Sequence, residues 1–258
     1  MTRRLLLTLL IAFLLLSLGP ASGLARPALA QAGTVYVDAD NTSGTEDGTP
    51  AHPYNTIAEG ITAAPAGGTV LVAPGTYYEN VTVNKDLTLR GSGLDRTTID
   101  GSRTTDTGLN TITIRDGAAV TVEHFKITGG GTTDAAAGLR HYQVGTPTAT
   151  FAARWNWFTG NGLHGVVSYG ADVVEHNLFT NNGNGQGGGY AIWASSGSMA
   201  QIYNNTIRRS TNNIGETGSN RVGIGIAIYG GTTPGAPDIR NNIVYDVYTG
   251  IAILGTSA

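Results

Sequence analysis

The chain has 258 residues, of which 38 are glycine and 13% are charged, and its formal net charge is -3. That balance excludes a basic surface for nucleic acid and a polybasic membrane anchor. The sequence has no cysteine, which excludes disulfide bonds, thiolate catalysis and cysteine-ligated metals.

Residues 1–30 have the three parts of a bacterial-type export signal. A basic start, MTRR, precedes an apolar run from Leu5 to Leu18, and residues 28–30 (ALA) match the small-residue cleavage pattern. The apolar run is shorter than the roughly 20 residues that a membrane-spanning helix needs. We therefore expect a signal peptide over residues 1–30, cleavage before Gln31, and a secreted or cell-surface protein with no membrane contact after cleavage.

Residues 38–53 form a polar loop that is rich in turn-forming residues. Asp38, Asp40 and Asp47 lie in this loop, and oxygen-rich loops hold Ca²⁺ in other proteins. Their spacing does not fit an EF-hand, which needs a glycine at loop position six and a glutamate at position twelve. Solvated turn residues are therefore the favoured interpretation, and a Ca²⁺ site formed by these three aspartates is the alternative.

Residues 54–64 (YNTIAEGITAA) are the one segment with a convincing helical pattern. Asn55 or Thr56 is able to cap the first turn, and Ile57 and Ile61 fall on one side. A single amphipathic helix before a row of strands is typical of a solenoid, because the helix covers the first open strand edge.

Alternating apolar residues predict short strands after the helix, and glycine-rich turns separate them. From about residue 122 a unit recurs that reads apolar, polar, apolar, corner residue, bulky apolar residue. Phe125 holds the corner position first, and four asparagines follow in it: Asn156, Asn177, Asn205 and Asn242. Recurrence with uneven spacing predicts a solenoid with one fixed corner and loops of changing length. Because asparagine tolerates the left-handed backbone conformation, we expect that conformation in this column, together with a ladder of side-chain amides.

Residues 35–101 resemble the N-terminal segment of secreted right-handed parallel β-helix proteins of the pectin-lyase-like superfamily. The resemblance rests on VYVDADNTSGTEDGTPAHPYNTIAEGI and GGTVLVAPGTYYENVTVNKDLTLRGSG, and the later units resemble the parallel β-helix repeats of that superfamily. It implies an all-β fold, a right-handed single-stranded parallel β-helix over residues 31–258 with a short N-terminal capping helix. The repeats indicate about seven coils. Residues 251–258 form a strand with no cap after it, so we expect the domain to be truncated at its C-terminal end.

The resemblance is less specific for activity, because the superfamily includes lyases, hydrolases, esterases, epimerases, adhesins and phage tailspikes. The N-terminal segment is also similar to the start of pectin methylesterases, but the GxVDFIFG-type stretch of those enzymes is absent. His164 matches part of the Gly-His-Gly block of polygalacturonase-type hydrolases, which use paired carboxylates, yet the sequence has no Asp-Asp pair. An ordinary strand residue is the favoured interpretation of His164.

Lyases and epimerases of uronic-acid polymers need a base beside the sugar carboxylate and a cation, Ca²⁺ or arginine, for the enolate that forms. Arg140, Tyr142 and Arg154 are the candidate residues for this chemistry, with His164 as a further candidate. His141 is expected to point away from its two neighbours, since successive strand residues face opposite sides. No complete catalytic motif is present, so the sequence leaves open whether the protein is an enzyme, either lyase or glycoside hydrolase-like.

Three aromatic residues, Trp157, Tyr190 and Trp193, are candidates for stacking on sugar rings. Trp157 is expected to face outwards, because Phe158 fills the apolar slot that recurs in later units. The sequence therefore predicts an exported protein that binds or processes extracellular polysaccharide or a cell-surface glycan, with uronic-acid polymers as the candidate substrates. The alternative is a noncatalytic surface or adhesion scaffold built from β-helix repeats.

Overall fold

The structure, a computed structural model, describes residues 33–103, 110–115, 117–132, 136–141, 149–183, 189–208, 224–230 and 236–255. The predicted signal peptide lies outside these ranges. The described residues from Gly33 onward form one compact unit. Within the described residues, no helix is both long enough and apolar enough to span a membrane.

The described ranges contain 22 strands, numbered β1 to β22 in chain order, and they form three parallel sheets. Sheet A contains β1 (Thr34–Val37), β2 (Gly68–Val72), β5 (Leu87–Arg90), β8 (Ala119–Glu123), β11 (Thr150–Arg154), β14 (Val173–Glu175), β17 (Gln201–Tyr203) and β20 (Asp238–Arg240). Sheet B contains β3 (Gly75–Tyr77), β6 (Thr97–Asp100), β9 (Lys126–Thr128), β12 (Trp157–Thr159), β15 (Leu178–Thr180), β18 (Thr206–Arg208) and β21 (Ile243–Tyr245). Sheet C contains β4 (Val81–Val83), β7 (Ile112–Ile114), β10 (Ala137–His141), β13 (His164–Ser168), β16 (Tyr190–Ala194), β19 (Ile224–Gly230) and β22 (Thr249–Gly255).

The chain visits the sheets in the fixed order A, B, C from β2 onward, so each set of three strands is one coil. Each strand pairs in parallel with its equivalent in the next coil, as β11 does with β14 and β12 with β15. Seven such coils follow β1, which is the number that the sequence repeats predict. The expected parallel β-helix is therefore confirmed.

The predicted helix is confirmed and is shorter than expected. Helix α1 runs from Ile57 to Ala63, and Thr56 caps it by accepting a hydrogen bond from the Glu59 N–H. The Glu79 carboxylate accepts two further hydrogen bonds from the first turn of the helix, from the N–H groups of Ile57 and Ala58. Ile57 and Ile61 are buried in the core, so α1 covers the first strands of the solenoid. A short 3₁₀ helix covers Gly101–Arg103.

The core lies inside the coil and consists of stacked columns of apolar side chains. Phe158 and Phe179 are fully buried, and their rings stack with centroids 5.0 Å apart and planes 10° apart. Ile207 continues the same column in the following coil. Such an aromatic pair contributes about 0.5–1.5 kcal/mol beyond the burial of its apolar surface.

The four asparagines of the column lie at the corner between sheets A and B. Asn156 donates from Nδ2 to Oδ1 of Asn177 at 3.2 Å, Asn177 to Asn205 at 3.1 Å, and Asn205 to Asn242 at 3.0 Å. Each Oδ1 also accepts the backbone N–H of the preceding column residue, beginning with Phe125 N–H on Asn156. The ladder therefore satisfies the backbone N–H groups of four successive corners, beginning with that of Phe125, where unpaired buried groups would cost free energy.

The expectation of a left-handed backbone in this column was wrong by one residue. The positive φ angles belong to the residues just before it: His124, Trp155, His176, Asn204 and Asn241. Placing the turn one residue earlier points the column side chains inwards, where they reach the next coil. The left-handed position faces solvent, since Trp155 is 44% exposed. Aromatic residues as well as asparagines therefore occupy it.

A second, shorter asparagine ladder lies at the corner between sheets B and C. Asn161 Nδ2 donates to Asn182 Oδ1 at 2.9 Å and to the Ile127 carbonyl at 3.2 Å. Both residues are fully buried. They follow Asn156 and Asn177 by five positions each, so the sequence contained the signal for this ladder.

Candidate functional site

Four of the residues singled out in the sequence lie together on sheet C. We call the group the Trp193 cluster; its members are Arg140, His164, Tyr169, Tyr190, Trp193 and Tyr229. The Trp193 ring is the centre, with its centroid 5.0 Å from that of His164 and 6.4 Å from those of Tyr169, Tyr190 and Tyr229. The cluster thus joins residues from four consecutive coils.

Strand register explains why residues so distant in sequence meet here. Arg140 pairs with Val167, Val167 with Trp193, and Trp193 with Ala227, so these four residues form one column across sheet C. Arg140 and Trp193 are two coils apart, about 9–10 Å at the usual strand spacing. Val167 and Ala227 border Trp193 in this column, and both are fully buried.

Charge in the cluster comes from Arg140 alone at neutral pH. Its guanidinium carbon lies 5.5 Å from the centroid of the Tyr169 ring, a cation–π arrangement. Burial, with a smaller effect from the Arg140 charge, lowers the pKa of His164 to about 3. His164 is therefore neutral at physiological pH.

His164 has little capacity to act as a base. Its Nδ1 accepts the backbone N–H of Tyr190 at 3.2 Å, so the neutral ring carries its proton on Nε2. The ring also stacks on Tyr190, with centroids 5.0 Å apart and planes 19° apart. His164 thus positions Tyr190 and Trp193, and its nitrogen lone pair is already occupied.

Tyr142, a candidate for lyase chemistry, lies outside the described residues. Arg154 is described but lies far from the cluster in the fold, in an outward column of sheet A. That column alternates in charge through Arg90, Glu123, Arg154 and Glu175. Arg154 Nε binds Glu175 Oε1 at 2.5 Å, which makes it part of a charge ladder along the solenoid.

Trp157 lies on sheet B, apart from the other two stacking candidates. It is half-buried beside the core residue Phe158, and its Nε1–H donates to Thr180 Oγ1 at 2.7 Å. Lys126 Nζ lies 5.0 Å from its ring centroid. A hydrogen bond and a cation therefore already engage this indole.

Two of the three aspartates proposed for Ca²⁺, Asp38 and Asp47, use their carboxylates for turns, and Asp40 lies in the same loop. Asp38 Oδ1 accepts the Asp40 N–H at 3.0 Å, and Asp47 Oδ1 accepts the Thr49 N–H at 2.9 Å. The hydrogen bonds from Thr49 also lower the pKa of Asp47. Within the described ranges, no three His, Asp or Glu side chains come close enough to hold a metal ion.

A buried polar group that sequence reasoning missed lies at the corner between sheets C and A. His141 Nε2 lies 3.2 Å from Asp172 Oδ1, and both side chains are almost completely buried. Asp172 also accepts hydrogen bonds from Phe151 N–H at 2.8 Å and from Ser168 Oγ at 2.7 Å. The serine donates to the aspartate and not to the histidine, so the group lacks the order of a catalytic triad. Its position among core residues indicates a structural role.

Comparison with known proteins identifies the repeat architecture. A family model described as "Right handed beta helix region" matches residues 54–207. No curated protein is significantly similar to this sequence.

Several solved structures are similar in fold. A pectin methylesterase in complex with hexasaccharide VII is 15% identical with a TM-score of 0.48, and the match covers 75% of this chain and 65% of that one. An alginate lyase from Paenibacillus sp. str. FPU-7 is 16% identical with a TM-score of 0.49, covering 83% and 76% of the two chains. A pectin methylesterase from Aspergillus niger is 17% identical with a TM-score of 0.41, covering 87% and 81%. The chain thus spans about two thirds of the length of the first enzyme.

Proposed function

This chain belongs to the right-handed β-helix family, and we propose that it binds acidic polysaccharide outside the cell through the Trp193 cluster. The observation that carries the proposal is the meeting of four aromatic rings, a neutral histidine and one arginine on a single face of sheet C.

Aromatic rings bind sugars because a pyranose ring presents a flat face of C–H groups. The Trp193 cluster offers such surfaces across three neighbouring coils, and Tyr229 at one end is 44% exposed. Coil spacing is about 4.8 Å, so a polymer lying along the solenoid axis meets equivalent strands in succession. An extended polysaccharide is therefore a better match than a single sugar.

Arg140 selects for negative charge. The guanidinium is a fork of N–H donors that matches a carboxylate, and no other member of the cluster is charged at neutral pH. His164 cannot oppose this preference or strengthen it, because its pKa is far below neutral. Uronic-acid polymers are thus the ligand class that we propose.

We propose that the protein binds the polysaccharide without catalysing a reaction on it. Proton abstraction needs a group with a free lone pair near the working pH. The Arg140 guanidinium is a hydrogen-bond donor and has no acceptor site, His164 Nδ1 is occupied by Tyr190 N–H, and Arg154 lies in the charge ladder of sheet A. The basic and apolar residues of segment 1–30 support export as part of the same proposal.

The test is affinity electrophoresis or calorimetry of the purified protein with polygalacturonate, alginate and a neutral β-glucan. We expect binding to the two acidic polymers and at least about tenfold weaker binding after Trp193→Ala, as for central aromatic residues of other interfaces. Trp157→Ala is the matched control, since it removes a half-buried tryptophan from sheet B, and it should leave the affinity unchanged.

Arg140→Gln separates charge selection from stacking. It should reduce the preference for acidic over neutral polymer and the sensitivity of binding to salt. Equal binding by wild type and Trp193→Ala would contradict the proposed site, and no binding to any polymer would favour the scaffold alternative. Ultraviolet absorbance from unsaturated sugar products would show lyase activity and overturn binding without catalysis.

A further inference from the structure

A cleft of about 350 Å³ lies at the N-terminal end of sheet A, under the loop of residues 38–53. Its floor is the column formed by Tyr36, Leu71 and Arg90 on β1, β2 and β5. Pro50 and Pro53 from the loop and Pro74 from the turn after β2 form its walls. None of these residues belongs to the Trp193 cluster, which lies on sheet C.

Hydrogen bonds hold the cleft open in a fixed shape. Tyr36 N–H donates to the Gly48 carbonyl at 2.9 Å, and Tyr54 N–H donates to the Tyr36 carbonyl at 3.0 Å. Asn41 Nδ2 ties the inside of the loop to the Pro53 carbonyl at 2.5 Å. A ligand would therefore enter a preformed site and would not have to order the loop.

Two charged groups, Arg90 and Asp38, line this largely apolar space. Arg90 Nε donates to Glu123 Oε1 at 2.5 Å, and its side chain is 52% exposed. Within the described residues its terminal nitrogens have no further hydrogen bond, so they are donors for a ligand. Asp38 lines the cleft as well and uses one carboxylate oxygen for Asp40 N–H, which leaves the other as an acceptor.

We propose that this cleft is a second glycan site and that it binds a neutral sugar residue. One apolar face of the sugar would lie on Leu71 and the Tyr36 ring, while Arg90 donates to one hydroxyl and Asp38 accepts from another. An apolar lining with a few converging polar groups is the usual composition of a small-ligand site, and the volume lies within the usual range.

Charge determines the choice of a neutral over an acidic sugar. Glu123, whose side chain is only 6% exposed, already balances the Arg90 charge. Asp38 adds a negative charge at the mouth of the cleft. A carboxylated sugar would meet net negative charge here, in contrast to the Arg140 environment on sheet C.

The experiment is saturation-transfer NMR of the purified protein with methyl glycosides of neutral hexoses and of uronic acids. We expect neutral glycosides to bind and uronic acids to bind at least about fivefold more weakly at this site. Tyr36→Ala should reduce neutral-sugar binding at least about fivefold. Tyr203→Ala is the matched control, because Tyr203 occupies the same column of sheet A in a coil without the covering loop.

A second variant tests the cleft independently, in case Tyr36→Ala does not fold. Leu71→Trp keeps an apolar side chain on the strand but fills the floor of the cleft, and it should also abolish binding of neutral sugars. Trp193→Ala should leave that binding unchanged, so failure of this site and failure of the Trp193 cluster give different results. The proposal is overturned if neutral glycosides do not bind, if Tyr36→Ala and Tyr203→Ala behave alike, or if only proline-containing peptides compete for the cleft.

Discussion

The side chain of Asn177 donates from Nδ2 to Oδ1 of Asn205, 3.1 Å away, and the two residues are 28 positions apart in the chain. The same Nδ2 also donates to the Ala153 carbonyl at 2.8 Å, in the preceding coil. One amide therefore connects three coils. Buried amide networks of this kind stabilise a structure when every member has a partner, and they are costly when one is removed.

Asn177→Ala should lower the free energy of unfolding by about 2–4 kcal/mol, because it leaves the buried Asn156 N–H without its acceptor and the Ala153 carbonyl without its side-chain donor. Asn242→Ala is the control, since Asn242 ends the ladder and is only half-buried, and it should cost about 1 kcal/mol. Urea denaturation followed by circular dichroism measures both. Equal losses for the two variants would show that the ladder is not cooperative.

His164 should make the protein less stable in acid. Between its folded pKa of about 3 and the ordinary value of 6.5, the unfolded chain binds a proton that the folded chain does not. The contribution of His164 to the free energy of unfolding should therefore be fully present above pH 6.5. It should fall by up to about 1.4 kcal/mol per pH unit as the pH decreases towards 3.

His164→Gln removes the titrating group and should flatten this pH dependence, even if it lowers stability at neutral pH. Thermal unfolding at a series of pH values between 4 and 7.5 (on the order of half-unit steps) measures the difference between the two proteins. Parallel curves for wild type and variant would contradict the role of His164.

Asp172→Ala should be among the most destabilising single changes, with a loss of about 3–5 kcal/mol. The substitution leaves Phe151 N–H and Ser168 Oγ without their acceptor and removes the partner of the buried His141. Asp47→Ala is the matched control, since that carboxylate also accepts a backbone N–H but is exposed. A loss below about 1 kcal/mol for Asp172→Ala would mean that the group tolerates an unpaired histidine.

Arg154→Ala should change little. Half-exposed ion pairs contribute about 0–1 kcal/mol, and the Arg154 side chain is 33% exposed while that of Glu175 is 23% exposed. A double-mutant cycle with Glu175→Ala measures the coupling, and polysaccharide binding should remain at the wild-type level. Loss of binding in Arg154→Ala would place the glycan on sheet A instead of sheet C.

The fold could be predicted because its signals are local and repeated. Alternation gave the strands, the corner asparagines gave the coils, and the pattern around Ile57 and Ile61 gave the single helix. The conformation of the corner was harder to predict, because asparagine suits both a left-handed position and a buried ladder. Only the structure shows that the column asparagines form the buried ladder and that the residues before the column, such as His124, Trp155 and His176, have the left-handed conformation.

The candidate site depended on register, which sequence patterns specify weakly. Arg140 and Trp193 lie in one column, two coils apart, only because β10, β13 and β16 pair in a particular alignment. The loops between those strands differ in length, so counting residues could not align them. His141 and Asp172 had no signal at all, since a buried pair from different coils looks like any two polar residues in the chain.

Because of the corner ladder, the distance between successive coils does not depend on the number of residues in a coil. Consecutive members are 31, 21, 28 and 37 positions apart, yet each makes the same backbone contact at 2.9–3.0 Å. The segments at the other corners of a turn therefore differ in length while the distance between successive coils stays the same. The spacing of the coils is set by the ladder, so surface segments can change in length while the fold stays the same.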